Sequence, residues 1–216
     1  MSYMSRSREP VNSLTHMIGA VVFAVGTLGM ILRSGVHSNF EVVSIVSAVV
    51  FGVSLVALYS SSAIYHFSTA AEGVVERLRK LDHSMIYVLI AGTYTPILLR
   101  FFTASRSWIL LGIMWAMAVS GIVMKLTWIK MPRLISTAYY LLMGWFIMFD
   151  PPALANLPTG AFWLLLGGGI SYTCGGVIYA FKKPNLGRVI GYHELFHLFI
   201  LLGSFLHFWL VFIYII

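Results

Sequence analysis

Apolar residues along this chain gather into seven long runs, roughly 14–33, 42–67, 84–101, 108–126, 134–149, 161–181 and 190–215, with short polar stretches between them. A helix needs about 20 apolar residues to cross the hydrocarbon of a bilayer, and backbone groups in that layer are satisfied only within helices or closed barrels. The pattern predicts an all-α polytopic membrane protein, with one seven-helix transmembrane domain over residues 1–216. The fifth run is the shortest. It begins after Pro132 and stops at Asp150-Pro151-Pro152, because proline lacks a backbone donor and breaks helices. No soluble domain, low-complexity tract or repeat at a fixed period is visible. The first run follows a polar start, is long enough to span and precedes no small-residue cleavage site, so a retained helix is expected there.

Composition strengthens this picture. Of the 216 residues, 59% are hydrophobic and 10% charged, against about 25% charged in an ordinary soluble domain. A soluble fold of this size could not cover so much apolar surface. The single cysteine, Cys174, excludes an intramolecular disulfide and a cysteine metal site, and reads as a packing residue. Trp108, Trp128, Trp163 and Trp209 fall near run ends, as interfacial belts require. Gly167-Gly168-Gly169 and Gly175-Gly176 on the sixth run predict close helix packing. No strand precedes them, so they are not a nucleotide loop.

The net charge of +7 has a topological explanation. Arg6, Arg8, Arg77, Arg79, Lys80, Lys125, Lys130, Arg133, Lys182, Lys183 and Arg188 all fall on one side of a seven-span chain, and only Arg33, Arg100 and Arg106 on the other. The positive-inside rule then places the N-terminus in the cytoplasm and the C-terminus outside, opposite to a G-protein-coupled receptor. The uncharged tail from Phe208 to Tyr214 agrees. Nothing resembles a nucleic-acid-binding module.

Ionisable side chains in membrane helices are costly, so each is a functional hypothesis. Here they share a depth. Ser62 and His66 end the second run, Asp82 and His83 open the third, and His193, Glu194 and His197 open the seventh. Glu9, Asn12 and His16 lie at the start of the first. All are expected at the cytoplasmic side. His193 and His197 are four apart and share a helix face, as do Ser62 and His66. Three imidazoles and a water make an open zinc site, with Asp82 available to orient or deprotonate the water.

Blander readings compete. A lone membrane histidine more often hydrogen-bonds a neighbouring helix than binds a metal. Asp82 could simply pair with Arg79 or Lys80. His37 in an outer loop and His207, about 15 Å along the helix from His197, are expected to pack or hydrogen-bond. His193-Glu194-Leu195-Phe196-His197 spells HExxH, the zincin pattern with Glu194 as base. The longer metzincin signature is missing, since Ile200 and Gly203 stand in its later positions.

Taken together, Glu9-x-x-Asn12-x-x-x-His16, Ser62-x-x-x-His66, Asp82, and His193-x-x-x-His197 with His207-Phe208 downstream resemble the hemolysin III branch of the progestin and adipoQ receptor family. The resemblance covers almost the whole chain. It implies seven helices, an intracellular N-terminus and zinc bound by His66, His193 and His197, with Ser62 and Asp82 close to the metal. The alkaline ceramidases have a similar His/Ser/Asp set, which suggests hydrolysis of a lipid amide or ester. Glu194 departs from the Gln of the eukaryotic receptors, and no large N-terminal soluble domain stands ready for a protein hormone. Three functions are therefore expected in competition: a zinc-dependent lipid hydrolase, with Asp82 and Ser62 catalytic; a membrane-state sensor with structural zinc; and a cytolytic protein. The expected partner is a membrane lipid, as substrate or ligand, and the expected location is a bacterial plasma membrane.

Overall fold

A computed structural model of the chain describes residues 3–38, 41–128, 131–187 and 190–216. Lys130 and Arg188, part of the basic tally above, lie outside the described residues. The elements in order are α1 (Tyr3–Arg6), α2 (Pro10–Ser38), α3 (Val42–Phe67), α4 (Glu72–Phe101), α5 (Ala104–Thr127), α6 (Arg133–Gly144), a 3₁₀ turn (Phe146–Phe149), α7 (Pro151–Leu154), α8 (Thr159–Phe181) and α9 (Tyr192–Tyr214). The described residues contain no strand. Six helices, α2 to α5, α8 and α9, are long and apolar enough to cross a membrane.

The seven runs all become helical, and three differ in extent from their expected bounds. The first helix runs from Pro10 to Ser38, because polar residues at both ends of the apolar window continue the helix. The third starts at Glu72 and not at residue 84. Residues 72–83 are too polar for a hydropathy window, yet they hold a helix: Glu72 sits favourably at its N-terminus, and Arg79 pairs with Glu76 at 2.6 Å one turn away. Asp82 therefore lies about 15 Å inside α4 at 1.5 Å per residue, and does not open it.

The fifth run shows the largest difference. Its α-helix ends at Gly144 after 12 residues and continues as a four-residue 3₁₀ turn. Changing ladder strands backbone groups, and Tyr94 of α4 supplies the repair. Its hydroxyl donates to the Gly144 carbonyl at 2.9 Å and accepts the Ile147 N–H at 2.9 Å. Midway along this composite segment Tyr140 donates to the His83 carbonyl at 3.1 Å, and just beyond its C-terminal end Asp150 pairs with Arg106 at 3.3 Å.

Packing follows chain order. α2 lies against α3, α3 against α4, α4 against α5 and α8 against α9, and α2 closes onto α9. Small residues set the closest approaches, as expected for α8: a Cβ on Gly168 would strike the His207 ring of α9. The buried core includes Phe51, Leu55, Tyr59, Tyr87, Met114 and Leu210, while Val21, Val25, Leu28 and Leu32 on α2 face outward. Trp108, Trp128, Trp163 and Trp209 are exposed, as a belt requires, and so is Cys174.

Candidate metal centre

The three histidines singled out by spacing meet. One ring nitrogen each from His66, His193 and His197 lies within 4.8 Å of the others. His66 is on the last turn of α3, and the other two stand one turn apart at the start of α9. The ring centroids are 5.0, 4.8 and 4.9 Å apart, and the planes cross at 77°, 73° and 78°. His66 and His197 are buried. His66 Nε2 and His197 Nδ1 are buried with no hydrogen-bond partner, a state that costs about 1–3 kcal/mol per polar group. An ion held by the three rings would satisfy both nitrogens, so the donor set fits a metal.

Glu9 fixes the chemistry of His66. Its Oε2 lies 2.7 Å from His66 Nδ1 and 4.0 Å from His193 Nδ1. A carboxylate only accepts, so Nδ1 carries a proton, and in the neutral ring Nε2 keeps its lone pair for a ligand. Burial alone would raise the Glu9 carboxyl, but the His66 hydrogen bond, and the charge of His66 and His193 when those rings are protonated, more than offset it, holding it at about 2 against an ordinary 4.5.

Glu9 is placed by a strap that caps α3. The last carbonyls of a helix have no partner within it. Here the Glu9 N–H donates to the His66 carbonyl at 3.0 Å, the Arg8 N–H to Phe67 at 3.4 Å and the Arg8 guanidinium to Tyr65 at 3.0 Å. That guanidinium also lies 4.4 Å from the Tyr65 ring centroid.

Asp82 and Ser62 are both buried and both face one cavity. Asp82 forms no ion pair with Arg79 or Lys80; Arg79 binds Glu76, and Lys80 donates to the Leu126 carbonyl at 3.3 Å. Ser62, Asp82, His193 and His197 line one cavity whose remaining wall is mostly apolar and reaches Ile147, Phe162 and Leu165 towards the far end.

Glu194 is committed elsewhere. Its Oε1 accepts from Asn12 Nδ2 at 2.9 Å and its Oε2 from the Gly191 N–H at 2.9 Å. The second bond caps α9. Both oxygens are occupied, which disfavours the zincin reading of HExxH. His207 Nε2 donates to the Leu165 carbonyl at 3.1 Å, as an interhelical bond, and His37 is exposed at the end of α2. Two neighbours of the trio carry no assigned role in the sequence pattern: Glu9, and His16, whose ring stacks on His197 at 3.7 Å. Their shared depth with the trio is the signal that the sequence offers.

The chain matches the family described as Haemolysin-III related over residues 4–208. It is 36% identical over 209 residues to Hemolysin-3 of Bacillus cereus, covering 96% of this chain and 92% of that protein. It is 38% identical over 207 residues to the Hemolysin-3 homolog of Bacillus subtilis (strain 168), covering 95% and 93%.

Proposed function

Given that this chain belongs to the Haemolysin-III related family of integral, multi-pass membrane proteins, we propose that it is a zinc-dependent hydrolase acting on the amide or ester of a membrane lipid. In this reading the composite segment is a seventh crossing, the N-terminus is cytoplasmic and His66, His193 and His197 hold the zinc. The observation that carries it is the presence of orphaned imidazole nitrogens and of buried Ser62 and Asp82 beside a long apolar cavity. Imidazole donors suit zinc, and zinc, when bound, supplies Lewis acidity that polarises a carbonyl and acidifies water.

The chain's own residues do the rest. Glu9 keeps His66 in the ligating tautomer. Asp82 takes the proton from water, and Ser62 orients Asp82 or donates to the oxygen of the scissile carbonyl. The apolar wall receives an acyl chain and excludes water. Elemental analysis of wild type beside His66→Ala, His193→Ala and His197→Ala tests the metal: one zinc per chain, lost in each variant while helicity survives, is expected. Asp82→Asn is expected to keep zinc and lose turnover in a screen of lipid amides and esters; unchanged turnover would remove Asp82 from the reaction.

A structural zinc in a membrane-state sensor is the second reading. It draws support from the trio itself, whose rings bring the end of α3 against the start of α9. It predicts that every ligand variant unfolds the bundle and that no catalytic loss separates from stability. The relatives' name raises cytolysis as a third reading, and the apolar outward face of α2 speaks against it.

A further inference from the structure

Beside the metal centre, at the same end of the bundle, lies a second cavity of about 170 Å³, far above the ~10–15 Å³ that one water needs. Its wall holds four cations from three elements: Arg79 and Lys80 of α4, Lys125 of α5 and Arg133 of α6. Among the described residues the only carboxylate on that wall, Glu76, is taken by Arg79. Among the described residues no carboxylate lies in ion-pair range of Lys80, Lys125 or Arg133.

Two of these cations are held by neutral groups. Arg133 donates to the Tyr192 hydroxyl at 3.2 Å and lies 5.2 Å from the Tyr179 ring centroid, and Lys80 donates to the Leu126 carbonyl. Lys125 is half-buried, with no hydrogen bond from its ammonium among the described residues; it feels the like charges of Arg79 and Arg133 and, beyond ion-pair range, the opposite charges of Asp82 and Glu76. Topology alone asks for basic residues at this end, but they could point anywhere. Convergence of like charges on one cleft is unfavourable unless an anion joins them. A planar guanidinium fork beside ammonium groups matches phosphate oxygens. The cavity also shares His83, Lys125, Tyr179 and His193 with the apolar cavity. An anionic head in the basic space and a chain in the apolar one would bring their linkage past His193.

We propose that this basic cavity binds a phosphate group, and that the lipid processed at the metal centre is a phosphate-bearing amphiphile. The second clause rests on the hydrolase reading; the first does not. The test is binding of short-chain phosphatidic acid to the detergent-purified protein, beside diacylglycerol of the same chains. Wild type is expected to prefer phosphatidic acid, and the preference should shrink between low salt and about 1 M NaCl. Arg133→Gln combined with Lys125→Gln should weaken phosphatidic acid about tenfold or more, with metal content and helicity unchanged. Arg100→Gln, at the opposite end beside Glu41, should leave it unchanged. Competition by inorganic phosphate at low millimolar level would identify the free anion as the occupant; its failure to compete would identify the lipid head. Equal binding of the two lipids by wild type, or phosphatidic acid binding that survives the double variant, overturns the proposal. Phosphate binding without turnover on any lipid would sink the hydrolase reading alone.

Discussion

Replacing Glu9 tests whether a residue just outside the membrane-spanning helices governs the metal centre. Its carboxylate makes one 2.7 Å bond to His66 Nδ1 and stands 4.0 Å from His193 Nδ1. Glu9→Ala removes the acceptor that fixes the His66 tautomer and the only carboxylate seen touching the trio among the described residues. Loss of such a partner typically lowers metal affinity about 10–100-fold, which is about 1.4–2.7 kcal/mol. Glu9→Gln keeps an acceptor oxygen and loses the charge, so a smaller loss is expected. Competition between the purified protein and a chromophoric zinc chelator reads the affinity directly. A dissociation constant within about twofold of wild type for Glu9→Ala would refute the tautomer argument, since His66 would then ligate equally well without its partner. Glu194→Gln is the control: its oxygens serve Asn12 and the α9 cap, so stability should fall by about 1 kcal/mol with zinc affinity unchanged.

The other predictions read stability and membrane integrity. Tyr94→Phe strands the Gly144 carbonyl and the Ile147 N–H, and should destabilise by about 1–3 kcal/mol or more in reversible detergent–SDS unfolding, with no change in metal content. The purified protein should release no dye from loaded vesicles of neutral lipid, because its outward faces are apolar; leakage would revive cytolysis.

Particular residues show what the sequence made legible. His193 and His197 were readable because a helix turns their spacing into a shared face, and His66 because its run ended at the same depth. Ser62 and Asp82 followed by the same depth argument, although Asp82 was placed at a helix mouth that lies farther out, at Glu72. Hydropathy cannot see a helix whose stability comes from an acidic first turn and an ion pair. Glu9 had no periodic relation to His66; their contact depends on a backbone strap capping α3, which no spacing encodes. The break at Gly144 was hidden for a similar reason. Its cost is met by Tyr94, fifty positions away, and a tyrosine in an apolar run reads as ordinary packing.

The wiring of the centre also orders its birth. Glu9 and His66 leave the ribosome early, and their pairing needs only α2 and α3. His193 and His197 are made near the end, as is Glu194, whose bond to Asn12 spans 182 positions. A chain with its last helix still outside the membrane owns one oriented imidazole and no trio. On the proposed metal-binding reading, uptake would follow insertion of α9, and a bound ion would mark a molecule whose two ends have found each other.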